Sequence, residues 1–284
     1  MDNFDPAYTP NHDDHMLRYS YKNQPTIIWW NLVRLGESLG EVMGMGAEVD
    51  DATYIADGIK EEQADVVVKR AEKLITQVGE EYKATFLAEY KRLMTSRLGL
   101  KNFKDNDFEE LFSDCLDSME ALELDFNHFF RRLSTLRVGD LATIEARKEK
   151  AAVFFHKEGP PRNVSEDEAR EKLAKWLDKW RLRVLEDWND ANEDIADDRE
   201  HERITRMKQV NPNFIPRSWI LDEVIRRVEK EGEREVLDRI MHMVLNPFED
   251  RWSGESWKGD PEEEQRWIGD PPKFERAMQC SCSS

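Results

Sequence analysis

Apolar residues recur at helical spacing along most of the chain. Ile28, Leu32, Leu35 and Leu39 predict a helix that begins near Pro25 and ends near Gly40 and Gly44, with Trp29 and Trp30 widening its apolar face. Before it, Pro6, Pro10, Asn11 and Pro25 interrupt any period and leave Phe4, Tyr8, Tyr19 and Tyr21 in an irregular loop. Val68, Leu74, Ile75, Val78, Tyr82, Phe86, Tyr90 and Leu93 mark a long helix over 65–98, closed by Gly99. Two shorter helices follow, over 107–119 and 126–136, carrying Phe108, Leu111, Phe112, Phe129 and Leu133, and Gly139 begins another break.

Ser165 and Glu168 form a capping box ahead of Leu173, Trp176, Leu177 and Trp180. The charged stretch 186–208 reads as a solvated helix, with a flexible connector as the alternative. After Asn211-Pro212-Asn213, the sets Trp219, Val224, Val228 and Val236, Ile240, Val244 predict two helices parted near Gly232. Beyond Asn246-Pro247 no period is visible, so an extended tail pinned by Trp252, Trp257 and Trp267 is expected. No alternating β-branched runs occur, and no fixed-period repeat. The expected fold is all-α, with a helical body over 1–245 and a tail over 246–284.

With 284 residues, 39% of them hydrophobic and including nine Trp and thirteen Phe, the chain can build a core despite 36% charged residues. A net charge of −18 argues against nucleic acid and anionic membrane surfaces as partners. No apolar run has the length of a membrane span, and the acidic start has no apolar leader segment. Three cysteines cannot staple a chain of this size, which favours a reducing or mixed compartment.

The sequence contains neither a phosphate-cradling G-x-x-x-x-G-K-[ST] nor a G-x-G-x-x-G motif, and Gly40, Gly44 and Gly46 are assigned to a helix end and loop. His12-Asp13-Asp14-His15 offers four adjacent metal ligands but lacks a dispersed partner cluster, so a loop role is expected. His128, His156, His201 and His242 stand alone in sequence and are read as surface or satisfied histidines. Glu193, Asp194, Asp197 and Asp198 would line one helix face, where Arg199, Arg203 and Arg206 turn a cation-binding reading into a salt-bridged solvent face. Cys280 and Cys282 differ, because two terminal thiols one residue apart suit exchange chemistry rather than stapling. Cys115 is expected to be a buried apolar filler.

Several segments together resemble a known family. Arg18-Tyr19-Ser20-Tyr21-Lys22-Asn23-Gln24-Pro25, followed by Trp30-Asn31-Leu32 and Arg34-Leu35, is similar to R-Y-x-[YF]-x-x-Q-P…W-N-L-x-R-L of the selenoprotein O family. Phe4-Asp5-Pro6-Ala7-Tyr8-Thr9-Pro10-Asn11-His12 resembles its F-D-P-x-[FY]-x-x-N-H. The run from Asn211 to Arg217 resembles N-P-x-[YF]-[IV]-x-R-N, with Ser218 in place of the final Asn. Asn246-Pro247-Phe248 resembles N-P-[YF], and Cys282-Ser283-Ser284 resembles the family's C-terminal Cys- or selenocysteine-Ser-Ser.

This resemblance implies the C-terminal helical lobe of a protein-kinase-like (pseudokinase) fold. It also implies an enzyme class that transfers AMP from ATP, with Mg or Mn, onto Ser, Thr or Tyr of protein substrates. The family's Gly-rich loop, strand Lys, Arg side chains and metal-binding Asp and Asn precede the F-D-P segment, so no nucleotide or metal ligand is expected in this chain. Met1-Asp2 falls within the family's G-F-M-D stretch, just after its metal-binding Asp, and Met1 is expected to be an internal methionine of a longer chain. On these grounds the isolated chain needs the missing N-terminal lobe as partner and is expected to be inactive alone. Cys282 is the implied redox residue, Cys280 its neighbour, and the implied location is mitochondrial. The competing expectation is a non-catalytic helical interaction or scaffold protein with a redox-active Cys tail; an acidic-cluster metal binder is the third.

Overall fold

A computed structural model describes residues 1–188, 195–252, 259–276 and 279, and among these the only regular secondary structure is helical. The described residues divide into two compact units, one of residues 7–90 and one of residues 1–6 together with 91–279.

In the 7–90 unit, α1 (Gln24–Ser38), α2 (Gly40–Met45) and α3 (Ala52–Asp57) precede α4 (Glu61–Arg97), which continues past residue 90. Pro25 opens α1, and its carbonyl accepts the Tyr82 hydroxyl of α4 at 2.8 Å, while Trp29 stacks on Tyr82. The seam is built on glycine: a Cβ at Gly44 would lie 2.2 Å from the Val67 carbonyl oxygen, and one at Gly79 would lie 2.7 Å from the Trp29 ring. Gly44 is thus a close-packing residue as well as part of a helix end. Ile27, Val67 and Ala71 are buried along this seam. Ile28, Leu35 and Leu39, expected to face a core, are 44%, 54% and 46% exposed, and Val68, Leu74 and Val78 are exposed as well. Small residues let α1 and α4 meet along one narrow line, which leaves the larger apolar side chains outside it.

The other unit runs from a wide π-helical turn (Phe108–Ser113) into α5 (Asp114–Ala121), α6 (Phe126–Leu133), α7 (Ile144–Ala151) and α8 (Glu166–Trp188). It continues through α9 (Asp197–Val210), α10 (Ser218–Glu231), α11 (Glu235–Leu245) and α12 (Pro261–Trp267). The capping box forms as expected: the Ser165 hydroxyl accepts from the Glu168 amide, and the Glu168 carboxylate accepts from the Ser165 amide.

On α8, Trp176, Trp180 and Trp188 are spaced by four and eight residues and so share one face, which is dry. Their indole N–H groups donate to the carbonyls of Leu111, Leu98 and Gly99 at 3.0, 2.9 and 2.8 Å. Two of these acceptors lie at the C-terminal end of α4, where helix geometry leaves carbonyls without a partner. Gly99, at φ +71°, turns the chain there, and a Cβ on it would lie 2.5 Å from Met207 Sδ.

Two expectations are corrected. The stretch 186–208 is not one solvated helix: α8 ends at Trp188, α9 begins at Asp197, and Glu200 and Arg203 are 3% and 0% exposed. Arg203 donates to the Leu136 carbonyl and to both oxygens of Glu200, which in turn accepts from the Val138 amide, so this charged pair is fully bonded inside the core. The tail is not wholly extended: Asp260 caps α12 and Pro261 opens it, and seven residues are too few to display a period in sequence. Trp252 and Trp267 are buried with Phe214, Trp219, Ile220 and Met243, whereas Trp257 lies outside the described residues. Arg227 and Arg239, paired with Glu233 and Glu263, tie α10, α11 and α12 together and hold the Glu233 carboxyl down to about 2.

Trp180→Ala should lower the unfolding free energy by about 3–5 kcal/mol, and Trp180→Phe by about 1–3 kcal/mol through the orphaned Leu98 carbonyl. Urea titration followed by circular dichroism measures both; a loss under about 1 kcal/mol for Trp180→Ala would show that the core does not depend on this ladder.

Candidate functional site: a buried histidine, aspartate and arginine cluster

A buried constellation of titratable side chains gathers around Asp270, just beyond α12. Its Oδ1 lies 2.7 Å from Arg132 Nη2, 3.4 Å from His128 Nδ1 and 3.8 Å from His156 Nδ1, and its Oδ2 accepts the Lys157 amide at 3.1 Å. Burial pushes the Asp270 carboxyl up, but the two imidazoles and the Arg132 guanidinium facing it outweigh burial and hold the group far below the usual carboxylate range. Behind His128 stands Arg217, which donates to His128 Nε2 at 3.2 Å and pairs with Asp125 at 2.7 Å and with Asp2. Burial raises the Asp125 carboxyl, and the charges of His128 and Arg217 reverse that and bring it below its ordinary value.

The backbone puts these groups together for local reasons. Asp125 caps α6 by accepting the His128 amide at 2.8 Å, so His128 and Arg132 sit one turn apart on the same face. Arg217 Nη2 lies 3.2 Å from His128 Nε2, while Asp270 Oδ1 at 3.4 Å and Arg132 Nη2 at 3.5 Å face His128 Nδ1. His156 meets the Asn3 side-chain oxygen through Nε2 at 3.0 Å, while Asn3 Nδ2 donates to Glu123 and so fixes which way the amide faces. Three carboxylates, two guanidiniums and two imidazoles thus join residues 2–3, α6, the 156–157 turn, Arg217 and Asp270. His128 and His156, which stand alone in sequence, are brought together here. No spacing rule could have found the cluster, because its members lie up to 268 positions apart between Asp2 and Asp270.

The other candidates fall out as follows. Cys280 and Cys282 lie outside the described residues, as do Glu193 and Asp194. Cys115 is fully buried beside Met119, and burial, with Asp114 nearby, raises its thiol well above the ordinary value. Asp14, in the His12–His15 run, accepts the amides of Tyr19 and Arg18, which lowers its carboxyl, and Asn11 accepts the Asp13 amide. Among the described residues no three His, Cys, Asp or Glu side chains are grouped to hold a metal ion. Asp197 pairs with Arg137 and Arg206 with Glu202; His201 is exposed.

The recognised motifs act as joints. Gln24 and Asn23 side chains donate to the Tyr19 and Leu17 carbonyls, and the Arg18 guanidinium lies 4.0 Å from the Trp30 ring centre. Asn211 donates to the Arg97 carbonyl and to Ser134, and the Asn213 and Phe214 amides donate to the Pro247 carbonyl, which brings the two Asn-Pro segments side by side. Arg131 fastens the same joint by donating to the carbonyls of Lys208, Asn211 and Phe248 and to Asp250.

Among the described residues the regular secondary structure is helical, and these motif residues sit at the joints between its segments. The family model for protein adenylyltransferase SelO matches residues 1–245, and the chain belongs to that family. A mitochondrial protein adenylyltransferase SelO of Schizosaccharomyces pombe is 32% identical over all of this chain and 47% of its own length. The Saccharomyces cerevisiae protein of the same name is 27% identical, over all of this chain and 48% of its own. A protein nucleotidyltransferase YdiU of Rhizobium leguminosarum is 31% identical over 94% of this chain and 44% of its own. The chain therefore spans about half the length of the curated relatives it matches.

A depressed carboxylate stabilises the fold at every pH above its unfolded-state value, near 4, and loses that contribution as pH falls toward the folded value. Asp270→Asn should therefore cost about 3 kcal/mol between pH 5 and 7, with the gap to wild type closing below about pH 4. Urea midpoints across pH measure this; a gap that stays constant down to pH 3 would contradict the assignment.

Proposed function

We propose that residues 1–284 supply the C-terminal helical part of a SelO-type protein adenylyltransferase, which moves AMP from ATP to hydroxyl side chains of other proteins. The carrying observation is the family match over 1–245 together with coverage of only about half of each relative. The exposed apolar residues of α1 and α4 add support, since Ile28, Leu35, Leu39, Val68 and Val78 form more apolar surface than isolated solvent-facing positions require. In this reading a nucleotide-binding half, the kinase-like partner of this helical lobe, covers that surface. That half would hold ATP with Mg or Mn, ATP supplying the adenylyl group with pyrophosphate as leaving group and the metal supplying countercharge; no residue of this chain is assigned to them. The body over 1–245 is the lobe proper, and 246–284 the tail that carries Cys282 as a redox residue with Cys280 as resolving partner. The location follows the two yeast relatives, both named mitochondrial.

Incubation with ATP and Mg or Mn should label a version extended upstream through the nucleotide-binding half and leave this chain unlabelled. Labelling of neither favours a non-catalytic helical protein, and labelling of this chain alone overturns the placement of the catalytic groups. A second check is thiol titration of the native chain: two thiols, Cys280 and Cys282, should react quickly, and Cys115 only on unfolding because it is buried with a raised thiol. Loss of the fast phase in Cys280→Ser/Cys282→Ser is expected; an unchanged fast phase would remove the redox assignment.

A further inference from the structure

The two ends of the described chain meet on the same side chains. Asp270 and the short segment after it lie against α6 and the 156–158 turn. Asp270 is held there by Arg132, His128, His156 and the Lys157 amide, and Arg276 by Glu158 and the Pro271 carbonyl. Residues 2–4 lie against the other side of the same groups. Asn3 binds His156 Nε2, Asp2 pairs with Arg217, which donates to His128, and the Phe4 amide donates to the Leu124 carbonyl at 2.7 Å while its ring stacks on Phe126. Each imidazole is shared, with one nitrogen turned to Asp270 and the other to the N-terminal side, directly for His156 and through Arg217 for His128.

We propose that the 268–276 strap and the 1–4 segment are held as one coupled unit, with His156 and the His128–Arg217 pair as positioning residues between them. The physical basis is the shape of the ring. An imidazole is rigid, so its two nitrogens cannot be aimed separately; releasing the carboxylate at one nitrogen frees the ring to turn, and the bond at the other loses its alignment. Among the described residues the buried His156 Nδ1 has no hydrogen-bond partner, and Asp270 Oδ1 faces it at 3.8 Å. At His128, Asp270 at 3.4 Å, Arg132 at 3.5 Å and Asp125 at 3.8 Å face Nδ1 and Arg217 faces Nε2, and Arg217 in turn orients Asp2 and Asp125. Coupling of this kind is reciprocal: whatever loosens the strap loosens residues 2–4, and the reverse follows by the same factor. The coupling itself is a property of this chain.

The test is amide hydrogen exchange on the full chain, read at the Phe4 and Lys157 amides, with Leu177 of α8 as an internal reference for global opening. Asp270→Asn should speed exchange at Phe4 by about tenfold or more, at a rate that still exceeds that of Leu177, whose own acceleration reports the loss of global stability. Asn3→Ala, made at the opposite end, should speed exchange at Lys157 by a similar factor. The Asp270→Asn/Asn3→Ala double variant should show less than the product of the two single effects at Phe4. Acceleration confined to Lys157 in Asp270→Asn, or a wild-type Lys157 rate in Asn3→Ala, overturns the proposal. Should Asp270→Asn fail to fold, Asn3→Ala alone decides it. None of these readings depends on nucleotide transfer, so a failed labelling experiment leaves the coupling standing and a failed exchange experiment leaves the family reading standing.

Discussion

The structure depends on how the C-terminal end of α4 is buried. A helix of 37 residues ends in carbonyls that have no partner of their own, and here those carbonyls point into a dry core. Left unbonded, each would cost on the order of 1–3 kcal/mol. Indole N–H groups of Trp180 and Trp188 supply the missing donors for Leu98 and Gly99, and the Asn211 side chain supplies one for Arg97. A tryptophan suits this task because it fills volume and carries a single donor, so it satisfies the carbonyl without bringing in a further polar group that needs a partner. Gly99 permits the turn that presents the carbonyls, and Met207 closes over it.

Around that core, arginines join segments that are distant in sequence. Arg131 collects the carbonyls after α9 and α11, Arg203 closes on Glu200 and Leu136, and Arg217 reaches Asp125, Asp2 and His128. A guanidinium has five N–H donors in a fixed plane, so one side chain can satisfy several carbonyls and a carboxylate at once. Each of these charges has its opposite in contact, which is the condition for burying it without a large penalty. The family motifs fall on such joints: Asn211, Asn213, Arg217, Asn23 and Gln24 all bond to backbone or to side chains of other segments.

The 7–90 unit follows a different economy. Its helices touch through glycines and alanine, and its larger apolar residues lie open. The chain spans about half the length of the relatives it matches, and under the proposed reading a further half covers this surface.

The sequence by itself determined the helical class, because the 3.6-residue period is local and strong on α4, α8, α10 and α11. It also determined the capping box at Ser165, the turn at Gly99, the buried Cys115 and membership of the family, each of which depends on neighbours within a few residues or on motifs read in order. Helix α12 escaped notice because seven residues hold too little periodicity. Only the tertiary structure decided that Glu200 and Arg203 are interior, that Ile28 faces out where Ile27 faces in, and that His128 and His156 share Asp270. Whether a charged residue is buried depends on whether distant chain supplies its partners, and a helix face becomes a core face only where another element covers it. Both are facts of three-dimensional neighbourhood, to which a local pattern has no access.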